Sequence, residues 1–176
     1  MELIYFDILP SPIGRILMGT TERGLRLLHY PLTKSPEGYL RRLDARAIRS
    51  RARTARVRKQ LVEYFAGRRR RFDLPLDLRG TSFQLAVWRA LQGIPYGRTA
   101  SYGDLARQIG RPQAMRAVGT ANHRNPIGIV VPCHRVIGSD GTLTGYAAGL
   151  DIKKNLLRFE AARVTCPSPR AAASPS

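Results

Sequence analysis

Residues 125–136 read NPIGIVVPCHRV, and this stretch anchors the second half of the chain. Ile127–Val131 is a short apolar run of β-type residues closed by a proline, so we expect Cys133 to follow directly on a buried strand. His134 offers a base or a cationic neighbour that would activate the thiol, and Arg135 adds positive potential. Because adjacent side chains on an extended segment point to opposite sides, His134 is expected to act through a water molecule or a bent backbone.

The Cys-His pair has a simpler interpretation. Taken alone, such a pair is more often a buried thiol beside an unrelated histidine than a reactive centre. A zinc site is poorly supported, because the two cysteines and three histidines of the chain show no paired ligand spacing. No metal is therefore predicted, and the neighbouring segments must decide the chemistry.

The segment before this stretch has helix signals. Thr81 or Ser82 is a suitable N-cap for a first helix, and Gly93 with Pro95 stops it. The apolar face of this helix consists of Phe83, Val87, Ala90 and Leu91.

A second helix is predicted over 101–109, with Leu105 and Ile109 facing inward. Gly110-Arg111 makes a tight turn, and Pro112 starts a third helix at its preferred first position. Two short helices joined by a glycine turn form a helix-turn-helix. As a lone signal this is weak evidence for DNA binding, because most glycine-linked helix pairs bind nothing.

The third helix is expected to have one inward and one outward face. Met115 and Val118 are predicted to face inward, whereas Arg116, Thr120 and Asn122 face outward. The residues between them are small, which leaves the helix thin enough to sit deep in a groove of nucleic acid.

The first 30 residues predict a small antiparallel meander. Its strands are the short segments Leu3–Ile8, Arg15–Gly19 and Gly24–Tyr30, separated by turn residues. We expect this half of the chain to supply scaffold rather than chemistry.

Residues 41–66 look helical and end at Gly67. The apolar stripe of this helix consists of Val57, Leu61, Val62 and Phe65. Residues 41–71 contain thirteen basic residues, including the run Arg68–Arg71, and we expect this segment to add non-specific affinity for nucleic acid.

The last part of the chain contains a glycine-rich loop and a closing helix. The loop glycines are Gly138, Gly141, Gly145 and Gly149, and the apolar positions of the helix are Ile152, Leu156, Leu157 and Phe159. Residues 163–176, rich in Pro, Ser and Ala, are predicted to be a disordered tail. The expected organisation is a first domain over 1–78, a second over 79–162 and this tail.

Composition restricts the class of protein. The 176 residues carry a formal net charge of +18, which favours a polyanionic partner, although a solvated surface from an arginine-rich proteome is the alternative. No apolar run is long enough to span a membrane, and the N-terminus lacks a secretory signal. Cys166 lies in the tail, so no disulfide with Cys133 is expected, and a reducing, cytoplasmic location fits best.

These motifs, taken in order, closely resemble the O6-alkylguanine-DNA alkyltransferase family. The resemblance covers roughly residues 80–160. Its motifs are Phe83-Gln84, Val87-Trp88, Ile94-Pro95, Ser101-Tyr102, Arg116-Ala117-Val118-Gly119, Asn125-Pro126, Pro132-Cys133-His134-Arg135-Val136, Gly145-Tyr146 and Gly149-Leu150. The resemblance implies an α/β (α+β) fold, with a small N-terminal ribonuclease-H-like sheet domain and a C-terminal helical domain that carries the helix-turn-helix and the active-site loop.

The resemblance also implies catalytic roles. Cys133 matches the acceptor nucleophile, His134 the group that takes its proton through water, and Glu160 the carboxylate that orients the histidine. Asn125 resembles a hinge residue that ties the recognition helix to the active-site turn. Tyr102 resembles a tyrosine that donates a proton to guanine N3 during base flipping.

Further residues match binding positions of the family. Arg116 resembles a finger that fills the space left by the flipped base, and Arg111 and Ser139 match other DNA contacts. Val136 would offer its backbone carbonyl to the guanine amino group. Tyr146-Ala147-Ala148 would wall the alkyl pocket, and here the chain departs from many relatives, which have glycine or a bulky aromatic where Ala148 stands.

The implied function is stoichiometric, irreversible transfer of the alkyl group of O6-alkylguanine, and of O4-alkylthymine, from duplex DNA to Cys133. The resemblance implies no cofactor and no obligatory protein partner. Three alternatives remain: a lesion binder without transfer, a helix-turn-helix transcription regulator with site preference, and a cysteine hydrolase with turnover.

Overall fold

The computed structural model describes residues 2–43 and 45–164. A four-stranded sheet occupies the first part of the chain, in the spatial order β3-β2-β1-β4. Its strands are β1 (Glu2–Ser11), β2 (Gly14–Thr21), β3 (Gly24–His29) and β4 (Ala45–Arg49). The first three strands form the predicted antiparallel meander, and β4 pairs with β1 in parallel.

The prediction of one helix over 41–66 is wrong. The chain instead forms a short helix α1 (Pro36–Leu40), a 3-10 turn over Arg41–Leu43, the strand β4 and then helix α2 (Ala55–Phe65). The sequence Ala-Arg-Ala-Ile-Arg of β4 alternates small and long side chains, which suits an edge strand beside β1 better than a helix.

Helix α2 buries a face that differs from the predicted stripe, because Gln60 and Tyr64 are buried and Phe65 is only half-buried. Val57, Leu61 and Tyr64 are buried at helical spacing, whereas Val62 is 44% exposed. Val62 directly follows Leu61, so it falls about 100° round the helix and faces solvent. Tyr64, which the stripe omitted, carries the buried face to the end of the helix.

Helix α3 (Ser82–Gln92) begins as predicted. The Thr81 hydroxyl accepts a hydrogen bond from the Gln84 amide, and the Gln84 side chain accepts one from the Thr81 amide. At the other end Gly93 is the C-cap. The Trp88 indole donates to the Ala121 carbonyl at 2.9 Å, which ties α3 to the third helix of this half.

Helices α4 (Tyr102–Gln108) and α5 (Met115–His123) form the predicted helix pair. Ser101 caps α4 in a second capping box with Asp104. Pro112 does not start α5, however, because residues 111–114 form a turn in which the Ala114 amide donates to the Arg111 carbonyl.

The predicted faces of α5 need two corrections. Val118 is fully buried, but Met115, the first residue of the helix, is 54% exposed because it lies beyond the core. Asn122 is buried instead of outward, because its side-chain amide donates to the Cys133 carbonyl at 3.4 Å. Arg116 and Thr120 are exposed as expected.

The predicted strand over Ile127–Val131 is a buried turn. The Val131 amide donates to the Ile127 carbonyl at 2.9 Å, and only Ile127 makes a bridge to the sheet, at Leu28. The run is apolar because the core encloses it. A buried turn and a short buried strand both select apolar residues, so the pattern does not distinguish them. Cys133 therefore begins a 3-10 turn (Cys133–Arg135) rather than following a strand.

The second half also contains two short strands and a long final helix. Strand β5 (Ala100–Ser101) pairs in parallel with β6 (Val136–Ile137), and α6 spans Leu150–Val164. Helix α6 thus continues two residues into the segment predicted as tail, because Gly97 packs against Val164. The rest of that segment, with Cys166, lies outside the described residues.

The two halves of the chain share one apolar core. Leu28, Leu61 and Tyr64 of the first half lie in the same buried cluster as Trp88 and Leu156 of the second. A smaller cluster on the opposite face of the sheet is covered by α1. In the described part of the chain, no helix is long and apolar enough to cross a membrane.

The junction between the halves predicts a sensitive glycine. Gly24 has φ of +137°, and a Cβ there would lie 2.3 Å from the Pro75 carbonyl oxygen. Because the Pro75 carbonyl accepts a hydrogen bond from the Leu25 amide, it cannot move away freely. Gly24→Ala should therefore lower the free energy of unfolding by about 2 kcal/mol or more, as measured by urea denaturation.

Gly141→Ala is the matched control. Gly141 also has positive φ, +81°, but a Cβ there meets no atom within 4 Å. Its cost should stay near the backbone strain alone, about 1 kcal/mol. Equal losses in the two variants would contradict a steric junction at Gly24.

Candidate active site

Cys133 is held at the end of a tightly bonded turn. The Asn125 side-chain amide donates to the Val131 carbonyl at 2.8 Å, and its oxygen accepts from the Ile127 amide at 3.0 Å. Both bonds cross the base of the turn between α5 and the cysteine. Cys133 itself is only 6% exposed.

The same turn contains backbone strain. Ile129 has φ of +70°, in the left-handed region that a β-branched residue rarely adopts. Such a conformation costs about 1–3 kcal/mol and persists only where the surroundings enforce it. Here burial of Ile129 and the Asn125 bonds enforce it, so the path of the chain into Cys133 is fixed.

Glu160 of α6 is the centre of the site's hydrogen bonds. It is fully buried and accepts from His134 Nε2 at 2.8 Å, and from Arg135 Nε and Nη2, each at 2.9 Å. The Tyr64 hydroxyl donates at 2.8 Å and the Gly97 amide at 3.1 Å. Four separate segments of the chain therefore meet at this carboxylate.

The charge of Glu160 is stabilised against burial. Burial alone would raise the pKa of Glu160, but the hydrogen bond from neutral His134 and the hydrogen bonds and positive charge of Arg135 outweigh it and hold the pKa far below its usual value. Arg135 is committed to this carboxylate and to the Ile94 carbonyl, at 2.6 Å. Its positive charge is thus neutralised locally by Glu160, and the predicted general electropositive effect at the thiol is replaced by an ion pair.

His134 is arranged to be neutral. Burial lowers the pKa of His134, and the charges of Arg135 and Lys153 act in the same direction, against Glu160. With Nε2–H donated to Glu160, the other ring nitrogen Nδ1 carries a lone pair. Nδ1 is buried and has no hydrogen-bond partner among the residues that the structure describes. His134 can therefore accept a proton on the side away from Glu160.

The cysteine is a thiol at rest. Burial raises the pKa of the Cys133 thiol, although the nearby Asn125 and Tyr146 side chains and the charge of Lys153 oppose the rise. A nucleophile kept protonated in this way needs a base at the moment of reaction.

The active-site cavity has a volume of about 300 Å³, and Cys133 forms part of its wall. Among the residues that line it are Asn125, Cys133, Tyr146, Ala147 and Ala148, which the sequence analysis named, and Tyr30 and Gly128, which it did not.

An open groove of about 610 Å³ runs along α5 and adjoins this cavity. Tyr102, Arg116 and Ser139 line the groove, and His123 and Gly145 line both the groove and the cavity. Three of the predicted DNA or base contacts are therefore on one surface that leads to the thiol.

Two predicted residues lie elsewhere. Arg111 is exposed at the turn between α4 and α5 and does not line the groove. Val136 is fully buried in β6, where it pairs with Ala100 and so sets the start of α4 beside the cysteine turn.

Sequence reasoning missed several polar residues of the site. The first half of the chain also reaches the site, because the Tyr64 hydroxyl donates to Glu160 and the Tyr30 hydroxyl is hydrogen-bonded to the Tyr146 hydroxyl, each at 2.8 Å. The helical spacing of Val57, Leu61 and Tyr64 could have placed Tyr64 inward. No local signal identifies its partner, which is 96 residues away.

Lys153 is also part of the site and was not predicted. It is fully buried in α6, and its ammonium donates to the Thr144 carbonyl at 2.9 Å. The ammonium lies 5.9 Å from the Tyr102 ring centre and 5.8 Å from that of Tyr146. It thereby fixes the loop that separates the groove from the cavity.

Fold and site together define a class of protein. It is an α/β protein in which a helix-turn-helix groove adjoins a cavity, and the cavity contains a buried cysteine beside a histidine-carboxylate pair. Within the described ranges, no group of three or more His, Cys, Asp or Glu side chains could hold a metal ion.

Comparison with known proteins agrees with this class. Residues 82–162 match the family described as "6-O-methylguanine DNA methyltransferase, DNA binding domain", and residues 4–78 match its "ribonuclease-like domain". A methylated-DNA–protein-cysteine methyltransferase of Methanosarcina barkeri is 50% identical over 159 residues, covering 89% of this chain and 97% of the relative. One from Mycobacterium tuberculosis is 46% identical over 171 residues, covering 92% and 94%.

Solved structures give the same result. The O6-methylguanine methyltransferase of M. tuberculosis superimposes with a TM-score of 0.80 at 46% identity, covering 91% of this chain and 94% of that one. A structure of the M. tuberculosis protein in complex with DNA gives a TM-score of 0.79 at 44% identity, covering 90% and 94%. The chain belongs to the 6-O-methylguanine DNA methyltransferase family, and the predicted fold class is confirmed.

The ionised state of Glu160 predicts how stability depends on pH. The pKa of Glu160 is lowered in the folded protein, so its stabilising contribution is present above the unfolded value of about 4.3 and lost as pH falls below it. Between pH 5.5 and 3.5 the loss from this one carboxyl should be about 1 kcal/mol. In Glu160→Gln the free energy of unfolding should therefore fall by about 1 kcal/mol less than in the wild type over this pH range. Urea denaturation at both pH values measures the difference.

Glu37→Gln, at an exposed carboxyl of α1, is the control and should lose as much stability as the wild type. If Glu160→Gln also lost as much as the wild type, the carboxyl would not be held ionised by the fold.

Proposed function

We propose that this protein repairs alkylated DNA by moving the alkyl group of O6-alkylguanine, and of O4-alkylthymine, onto Cys133. One observation carries the proposal: a buried thiol borders a cavity that opens to a groove on one side, and a neutral histidine bound to an ionised carboxylate follows it in sequence. The names of the relatives support the same reaction.

The chemistry follows from the resting state of each group. The thiol proton passes through water to the free lone pair of His134 Nδ1, and Glu160 stabilises the imidazolium that forms. The sulfur attacks the alkyl carbon in line, the carbon–O6 bond breaks, and its electrons remain on the guanine. The product thioether has no route back to a thiol, so each molecule acts once and needs no cofactor.

Residues of the groove and cavity have proposed roles in binding the flipped base. The hydroxyl of Tyr102 donates to the Thr144 carbonyl at 3.3 Å, and on binding it would turn to guanine N3 and give the leaving base a proton. The Val136 carbonyl would accept from the guanine amino group. Tyr146, Ala147 and Ala148 would enclose the alkyl group, with a backbone amide directed at O6.

Duplex DNA is the proposed partner. The groove along α5 carries Arg116 at its surface, and a related structure is a complex with DNA. Arg116 would enter the base stack, with Ser139 nearby and Arg111 on the phosphate backbone. Asn125 would keep α5 and the cysteine turn in fixed register.

The basic segment over 41–71 is partly neutralised within the fold. Among the residues that the structure describes, five of its arginines pair with carboxylates, namely Arg49 and Arg58 with Asp7, Arg53 with Glu22, Arg56 with Asp73 and Arg69 with Glu63. We propose that any added DNA affinity comes from its other basic residues.

We also propose a cytoplasmic location without an obligatory protein partner, and a division of the chain into domains over 1–78 and 79–162. A reduced Cys133 requires a reducing compartment.

Stoichiometric transfer is tested by intact-mass measurement after mixing the protein with duplex DNA that contains one O6-methylguanine. The wild type should gain the mass of one methylene, with the adduct at Cys133, and then stop. Cys133→Ser should gain none while its affinity for the same DNA stays within about threefold, because flipping uses other groups. Repeated turnover would indicate a hydrolase, and absent transfer by the wild type a lesion binder.

The role of Arg116 is tested by comparing two substrates. Extruding a paired base costs a few kcal/mol, which an inserted side chain partly returns. Arg116→Ala should therefore slow repair of duplex DNA at least about tenfold, but hardly change the reaction with free O6-benzylguanine. Arg116→Lys should be intermediate, because lysine keeps the charge and cannot stack as a plane.

Arg89→Ala, at an exposed arginine of α3 outside the groove, is the matched control and should change neither rate. Equal slowing of both substrates by Arg116→Ala would mean that Arg116 supports the fold or the pocket.

A further inference from the structure

Tyr30 lies where the sheet meets the active-site cavity. It follows β3 directly and is 7% exposed, and its hydroxyl is 2.8 Å from the Tyr146 hydroxyl. Both tyrosines line the cavity together with Cys133. A side chain from the first half of the chain thus forms part of the wall that faces the thiol.

The active-site turn has a glycine, Gly128, where the Tyr30 side chain packs against it. A Cβ on Gly128 would lie 2.1 Å from the Tyr30 hydroxyl oxygen and 2.8 Å from its Cζ. Gly128 does not have positive φ, so the backbone conformation does not require glycine there. Glycine is needed at this position because any side chain there would overlap Tyr30.

The Tyr30 side chain is held in place from two sides. The turn that contains Gly128 is fixed by the Asn125 bonds and by the strained Ile129. On the other side the hydroxyl of Tyr146 holds it, and burial raises the pKa of both phenols well above 10, so both stay neutral.

We propose that the ring of Tyr30 sets the upper size of the alkyl group that Cys133 can accept. This inference rests on the proposed function. An alkyl group bound for the sulfur must lie in the cavity beside Tyr146, and Tyr30 packed on Gly128 occupies the space that the distal atoms of a larger group would need. Tyr30 lines the cavity together with Cys133, so its ring would leave room for a methyl group at the sulfur and would slow, without preventing, the entry of a benzyl group.

The sequence alone pointed to Ala148 as the residue that left pocket width open. Ala148 is half-buried, and its small side chain would admit large groups if the loop alone formed the wall. The structure adds the sheet residue Tyr30 as the second wall. The ring of Tyr30 occupies more of the cavity than the methyl group of Ala148, so it limits the size of the alkyl group more strongly. Each methylene of the alkyl group that fails to fit costs about tenfold or more in rate.

The test compares single-turnover rates on duplex DNA containing O6-methylguanine or O6-benzylguanine. Tyr30→Ala should raise the ratio of the benzyl rate to the methyl rate at least about tenfold. Tyr30→Phe keeps the ring and should leave this ratio within about threefold of the wild type. A Tyr30→Phe variant that matched Tyr30→Ala would overturn the role of the ring and assign the effect to the hydroxyl.

Two further variants complete the test. Tyr30→Leu retains apolar volume in the shared core, so if Tyr30→Ala fails to fold, Tyr30→Leu must raise the ratio at least about threefold. Tyr39→Ala is the matched control, because Tyr39 lines the same cavity but stacks on His29 at 4.2 Å. Its ratio should stay within about threefold of the wild type; a shift as large as that of Tyr30→Ala would overturn the specific role.

The wild type separates this inference from the proposed function. If the wild type transfers no methyl group, the proposed function fails. If it transfers methyl and the Tyr30 variants leave the ratio unchanged, only the size limit fails.

Discussion

The ion pair between Glu160 and Arg135 is the interaction on which the rest of the site depends. A buried carboxylate is costly unless it is paired and hydrogen-bonded. Both carboxylate oxygens of Glu160 accept hydrogen bonds from the Arg135 guanidinium. Removing one partner of such a pair typically costs about 3–5 kcal/mol, because the other charge is left buried. The carboxylate therefore holds α6, the cysteine turn, the loop at Gly97 and Tyr64 of α2 in one arrangement.

This arrangement determines the protonation state of the reactive groups. Arg135 satisfies the charge of Glu160, so His134 need not be protonated to do so, and burial lowers the pKa of His134 further. Burial likewise raises the pKa of the Cys133 thiol. The resting site is then neutral at both residues, which protects the thiol from unselective alkylation. If Cys133 acts once, as proposed, such protection would matter, since every stray reaction would consume one molecule.

The sequence predicts those features that local physics determines. The capping boxes at Thr81 and Ser101 are short-range hydrogen bonds between nearby residues, and the helices begin where these motifs place them. The apolar run over Ile127–Val131 was ambiguous, because burial of a turn and burial of a strand select the same residues. The contacts of Tyr30 and Tyr64 join residues about a hundred positions apart and leave no periodic signal. The roles proposed for Cys133 and its neighbours came from ordered motifs, whereas Tyr30 and Gly128 in the wall of the cavity were found only from the fold.

The central claim is that His134 is neutral, with its proton on Nε2 and its lone pair on Nδ1. Nitrogen NMR of the protein labelled with ¹⁵N-histidine, recorded between pH 8 and pH 5.5, measures this directly, and His134→Gln assigns the signals. The account predicts one protonated and one unprotonated ring nitrogen for His134 at pH 7, with no titration near the ordinary histidine value of about 6.5. Two protonated ring nitrogens at pH 7 would contradict it, because His134 would then have no lone pair with which to accept the thiol proton.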